Sequence, residues 1–307
     1  MLRMKKIFGG YRGDVFLLVA TVAILVVGIT GVPSMGQQKG QKTFSSPEEA
    51  SKALYAAAGA NDEKALLEVL GPKGKDIIYS GDDAEDAENR ATFVKRYHEM
   101  NRLVKEPDGS VTLYIGPHNW PYPIPLANKG NAWYFDTAAG EKEIVFRRIG
   151  RNEMSAIHIC QQLVAAEKDY FGQHNAYAQK IFSDAGKQNG LYWTATGNEP
   201  QSPIGPRVAW AFVSESSSQQ GGEAAPYRGY YFEMLKPSGG FVFVAYPAEY
   251  RSSGVKTFVA GTDGNVYEKD LGKKTEAAAK SMSAFTPDKS WQRVEEEQQQ
   301  ATSESNP

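Results

Sequence analysis

The sequence predicts an α+β protein. N-terminal helices and a small antiparallel sheet form a roll-like unit, a long helix connects, and a C-terminal antiparallel sheet packs on that helix. Three observations carry the prediction. Apolar residues recur in threes and fours from Ser46 to Asn101, alternate from Leu103, return to threes and fours from Ala138 to Phe171, and alternate again from Gly229. Asp108-Gly109 and Asp263-Gly264 each separate two short apolar runs, the signature of a tight hairpin. The 307 residues, 41% hydrophobic and 23% charged, have the composition of an ordinary globular protein. With 34 Lys+Arg against 36 Asp+Glu the net charge is −2, so bulk electrostatics give no case for nucleic acid. The single cysteine, Cys160, excludes an intramolecular disulfide and any cysteine-rich zinc or iron–sulfur site.

The elements follow in order. Arg3, Lys5, Lys6 and Arg12 precede the uncharged apolar stretch Val15 to Ile29, the layout of an export signal. Gly31-Val32-Pro33 breaks a helix, and Ser34-Met35-Gly36 offers the small residues of a cleavage site. Residues 1–36 are therefore an export signal cleaved after Gly36, or an uncleaved anchor that touches the membrane only through residues 15–31. The basic leader places the rest of the chain beyond the cytoplasmic membrane, in the periplasm or secreted. Residues 37–43 read as a polar linker.

A roll-like domain is expected over 44–137. Ser46-Pro47-Glu48-Glu49 is a capping box with Pro in the first turn, opening a helix to about Ala58. Asn61-Asp62 caps a second helix with Leu66, Leu67, Val69 and Leu70 inward, and Gly71-Pro72 stops it. The acidic stretch Gly81 to Glu88 reads as a solvated loop before a third helix over Ala91 to Asn101, with Phe93, Val94, Tyr97 and Met100 on its buried face. Hairpins follow at Leu103 to Ile115 and around Asn128-Lys129-Gly130. Helices followed by such a sheet resemble nuclear-transport-factor-like and cystatin-like rolls.

The second domain is expected over 138–292. Asp136-Thr137 caps a helix from about Ala138 to Phe171, with Ile149, Met154, Ile157, Cys160, Val164 and Phe171 on one stripe and Gly150 a place for a bend. Gly186 to Gly222 is irregular. Strands lie at Gly229 to Leu235, Gly240 to Tyr246, Val255 to Ala260 and Asn265 to Lys269, with a short helix at Thr275 to Ser283. Residues 293–307 read as a disordered tail.

The runs Trp120-Pro121-Tyr122-Pro123-Ile124-Pro125-Leu126, Trp133 to Gly140, Arg147 to Glu153, Tyr230-Tyr231-Phe232, Ala245 to Tyr250 and Val266 to Gly272 resemble the bacterial domain of unknown function 2950 family, over about Thr43 to Val294. That resemblance implies an exported bacterial protein without an established activity. The second half also resembles the globular part of type IV pilins and pseudopilins, through the long helix, Gly229-Tyr230-Tyr231-Phe232 and Gly254-Val255-Lys256-Thr257-Phe258. Neither Gly10 nor Gly13 is followed by the Phe and fifth-position Glu of a prepilin, so that resemblance does not extend to the usual assembly route.

Chemistry is sparse. Gly71-Pro72-Lys73-Gly74-Lys75 lacks phosphate-loop spacing and closes a helix. Neither Gly-x-Ser-x-Gly nor Gly-x-Gly-x-x-Gly occurs, and His98, His118, His158 and His174 are far apart, so no metal and no cofactor is expected. Asp82, Asp83, Glu85, Asp86 and Glu88 lack the spacing of a calcium loop. Trp120, Tyr122 and Trp133, set among prolines, line a groove for a sugar or peptidoglycan strand or pack a stiff loop across the sheet. Arg147, Arg148 and Arg151 form a stripe that pairs with Asp136, Glu141 or Glu143, or contacts an anion or partner. The expected function is a non-enzymatic binding or structural module of the cell envelope, with a cell-wall glycan or another exported protein as partner. The alternative is an envelope hydrolase using Asp136, Glu141 or Glu153 beside the aromatic groove.

Overall fold

The computed structural model describes residues 37–79, 82–195, 200–212, 226–235 and 240–295. The expected export segment 1–36, parts of the irregular stretch and residues 296–307 of the expected tail lie outside them. No helix among the described residues is long and apolar enough to cross a membrane. The architecture is α+β with two antiparallel sheets, and the chain divides into two compact units that meet at Ile144/Val145.

In the first unit, α1 (Pro47–Gly59) starts at Ser46, whose side chain accepts from the Glu49 N–H. The return half of the capping box reaches one residue further back than expected, because the Glu49 carboxylate takes the N–H and hydroxyl of Ser45. Asp62 caps α2 (Glu63–Leu70), which ends at Gly71 in a left-handed conformation (φ 79°). A 3-10 turn and α3 (Lys75–Ile78) follow.

The acidic stretch is not a loop. Asp82 caps α4 (Asp83–Glu99) through the Ala84 and Glu85 N–H groups, and the acids occupy the first turns. Negative charge at a helix N-terminus is stabilised by the macrodipole, so the same residues that suggest a solvated loop favour a helix start. Phe93 and Tyr97 are buried as expected, with Val94 and Met100 half-buried.

The first sheet has the order β1-β2-β4-β5, with β3 also paired to β2. Here β1 is Asn101–Lys105, β2 Val111–Ile115, β3 Trp120–Pro121, β4 Leu126–Lys129 and β5 Ala132–Phe135. Val111, Leu113 and Ile115 face the core, joined there by Leu54 of α1, Leu66 of α2 and Phe93 of α4. The presumed linker is built into this unit. The Gln41 amide donates to the carbonyls of Val69 (3.2 Å) and Phe135 (2.8 Å), and Gln38 donates to Leu70 and accepts from the Lys73 N–H. These side chains answer carbonyls that the end of α2 leaves open.

Asp136 caps α5 (Thr137–His174) by accepting the Ala139 N–H at 3.0 Å. A Cβ at Gly140 would lie 2.6 Å from Ile124 Cγ1 and 3.1 Å from its Cα, so only glycine permits this approach. Gly150 does not interrupt the helix. Along the stripe Ile157, Cys160, Leu163 and Val164 are buried, but Phe171 is 39% exposed and stacks near Tyr177 while Tyr170 takes the inward position. At 100° per residue Phe171 stays within about 20° of Cys160 and of Val164, so helical phase does not account for its exposure.

The second sheet is a meander in the order β10-β9-β8-β7-β6. Its strands are β6 (Tyr230–Leu235), β7 (Val242–Pro247), β8 (Lys256–Gly261), β9 (Val266–Asp270) and β10 (Gln292–Arg293). Phe232, Phe243 and Phe258 pack on α5. The opposite face is also covered, since Val242, Val244, Tyr246 and Val259 meet Ala279 of α6 (Thr275–Lys280) and the partly buried Phe285 and Trp291. Burial on both faces explains why all six residues of β7 are buried. The expected tail begins later than 293, because Arg293 pairs with Tyr267 and the Val294 N–H donates to the Val266 carbonyl. The helix expected to reach Ser283 ends at Lys280, and residues 281–291 leave it to cover the sheet.

Candidate functional site

The aromatic run of the first unit does not form an open groove. Tyr122 is 2% exposed, its N–H donates to the Leu113 carbonyl, and its ring lies 5.5 Å from that of Phe93 and 6.2 Å from that of Phe135. Burial raises the pKa of its hydroxyl, which has no hydrogen-bond partner among the described residues. Trp120 and Trp133 are half-buried against the same core, with the Arg96 guanidinium 6.0 Å from the Trp120 ring centre. The prolines hold the loop flat across the sheet, so the rings complete the core instead of lining a cleft.

Two of the three acids considered for hydrolysis are committed elsewhere. Asp136 is buried as the cap of α5. Glu153 Oε1 accepts the N–H groups of Val255 (2.8 Å) and Lys256 (3.0 Å) at the start of β8. Glu141 is half-buried; desolvation raises its carboxyl, partly opposed by Lys73. Cys160 is fully buried, and desolvation pushes its thiol up to about 12, which makes it a core residue and not a nucleophile.

The arginine stripe meets a different fate at each position. Arg147 is half-buried and not free. Arg148 turns to the loop before β8, donating through Nε to the Ser252 carbonyl (3.0 Å) and through Nη2 to its hydroxyl (3.2 Å). Burial lowers its pKa, the Glu249 carboxylate opposes this, and Arg151 adds to it. Its charge partner is thus Glu249 and not Asp136, Glu141 or Glu143. Arg151 is exposed, with no hydrogen bond or ion pair among the described residues.

Two loops join α5 at this end of the second unit. Asn152 donates to the Ser253 carbonyl at 2.8 Å, and the Ala248 N–H donates to the Gly229 carbonyl at 2.9 Å. Tyr230 lies beneath Gly254, where a Cβ would stand 2.1 Å from its hydroxyl oxygen. On this frame stand Arg228 and Arg251, both exposed and both left-handed, with φ 48° and 63°. Each guanidinium lies over the ring of the tyrosine before it, 5.9 Å from Tyr227 and 5.3 Å from Tyr250. Sequence reasoning missed both arginines; the repeated Tyr-Arg pair is the signal that marks them.

Sequence reasoning also missed two buried charges. Arg90 of α4 is 3% exposed, donates to Asn61 and lies 3.5 Å from Glu63, fastening the α1–α2 turn. Glu167 of α5 is fully buried on the face that carries Leu163 and Tyr170. One oxygen accepts the Ala178 N–H at 2.9 Å and the other has no partner. Desolvation pushes its carboxyl up to about 7, opposed by that N–H.

Together these features define a two-unit α+β protein in which Asp136 and Glu153 serve the backbone and Arg151, Arg228 and Arg251 stand exposed. The chain belongs to the family described as protein of unknown function (DUF2950), whose sequence profile matches residues 41–239 and 236–294. No curated protein and no solved structure matches it.

Proposed function

We propose that this is an exported protein of the bacterial cell envelope that works as a binding or structural module and not as an enzyme. The observation that carries the non-enzymatic half is the commitment of Asp136 and Glu153 to backbone N–H groups, which takes two of the three candidate acids out of hydrolysis. Export rests on the basic leader, the uncharged stretch Val15 to Ile29 and the small residues up to Gly36. The long helix followed by an antiparallel meander supports a pilin-like reading of the second unit, and its partner in this setting is a cell-wall glycan or another exported protein.

A phosphatase fusion at Val294, active only after crossing the membrane, tests export. Active fusion, with mature protein beginning at Gln37 or retained in the membrane until detergent is added, is the expected result. Stable but inactive fusion in the cytosol overturns the reading.

A further inference from the structure

We infer that the end of the second unit carrying Arg151, Arg228 and Arg251 binds an acidic cell-wall glycan, a polymer with repeated carboxylate or phosphate groups. This deepens the envelope reading and rests on it for the identity of the ligand.

The charge balance at this end is uneven. The acids near it are each answered: Glu153 by two backbone N–H groups, Glu249 by Arg148, Glu268 by Lys256 at 3.2 Å, and Asp270 by the Tyr250 hydroxyl and the Gly272 N–H. Arg151, Arg228 and Arg251 remain, exposed and without a hydrogen bond or ion pair among the described residues, in a chain whose net charge is −2. Arg148, Arg151, Arg228, Arg251 and Lys256 stand here against Glu153, Glu249, Glu268 and Asp270, a local excess of one positive charge in a chain whose net charge is negative.

Local geometry adds to this. A left-handed residue in a turn is ordinarily Gly or Asn, since a Cβ costs energy there. At 228 and 251 the sequence places arginine, each time after a tyrosine whose face takes the guanidinium. Stacking restrains the group while leaving its in-plane N–H donors outward for a planar oxyanion. The backbone beneath is fixed by Arg148, Asn152 and Glu153 of α5.

Three cations on three segments fit a ligand with repeated charges. A single exposed ion pair contributes little, and several engaged at once by one polymer add up. The large exposed apolar side chains of the described residues, Phe146, Phe171 and Trp210, are not on these loops, and Phe146 lies about 200° around α5 from Arg148. A surface with charge and no apolar wedge suits a hydrated polymer better than a bilayer.

The test uses the mature chain, residues 37–307, at low salt, with polygalacturonate and polyphosphate as probes and neutral dextran as control. Retention by either acidic polymer, weakening as salt is raised, is expected, and Arg151→Gln/Arg228→Gln/Arg251→Gln should lower affinity roughly tenfold or more. Arg228→Gly and Arg251→Gly separate binding from folding, because glycine relieves the left-handed backbone: affinity should fall while the thermal midpoint holds or rises. Equal binding by the triple variant, or no binding by the wild type, overturns the proposal. So does binding to phosphatidylglycerol-containing vesicles without binding to either polymer. Failure here with an active phosphatase fusion removes this site and leaves export standing; polymer binding with an inactive fusion upholds the anion site and removes the wall as its setting.

Discussion

Both units cover an antiparallel sheet with helix, but they treat buried polarity differently. In the first, polar side chains reach across long sequence separations, Gln41 to the carbonyls of Val69 and Phe135, Thr137 to the carbonyl of Leu70, and Arg90 to the Asn61 side chain, while Arg90 Nη1 and the Tyr122 hydroxyl have no partner among the described residues. In the second, phenylalanines from three strands pack on α5, and the buried charge, Glu167, has one oxygen answered and one not. The cationic surface lies on the loops of the second. An amide or hydroxyl pin specifies a register without responding to pH, whereas a buried carboxyl makes its surroundings respond.

The largest expected effect sharpens the apolar side of this contrast. Phe258→Ala removes a fully buried ring between α5 and the second sheet and should cost roughly 3 to 5 kcal/mol in denaturant unfolding. Next comes pH. The folded Glu167 carboxyl holds its proton up to about 7, and its charge would lie near Tyr170 with no ion pair among the described residues. Its stabilising contribution is therefore full at acid pH and falls as pH rises through about 7. Glu167→Gln should flatten the decline, which amounts to roughly 3 kcal/mol at most. A wild-type stability that rises over that range would break the contrast.

In the first unit, Gln41→Ala removes two buried hydrogen bonds and should cost about 2 kcal/mol, equally at acid and neutral pH. The smallest effect is Tyr122→Phe, which deletes an unpartnered buried hydroxyl and should change stability by no more than about 1 kcal/mol, in the stabilising direction. A large loss would mean that the hydroxyl has a partner and that the aromatic run is more than core.

What was legible in the sequence is what local chemistry determines. Ser46, Asp62 and Asp136 cap helices where expected, and Asp108-Gly109 and Asp263-Gly264 turn hairpins with their glycines left-handed. The acidic start of α4 was misread because a dense run of acids looks solvated until the helix dipole beneath it is considered. Gln41 carries no local signal, since its partners are 28 and 94 residues away. Glu167 could have been found: it stands four residues after Leu163 and three before Tyr170, inside the apolar stripe. Arg148 and Arg151 were visible as a stripe, but their separation into one anchored and one free arginine depends on the loop at Ser252. Arg228 and Arg251 lie on left-handed turns that lack the usual Gly or Asn, so their place beside α5 is a product of the tertiary fold.

The most direct measurement is amide hydrogen exchange of the mature chain with and without polygalacturonate at low salt. Slowed exchange is expected in residues 226–229 and 248–255 and in α5 around Arg151, with the segment from Trp120 to Trp133 unchanged. Slowed exchange confined to Trp120–Trp133 would contradict the account, because it would put the binding surface on the aromatic run of the first unit and leave the arginine end of the second without a role.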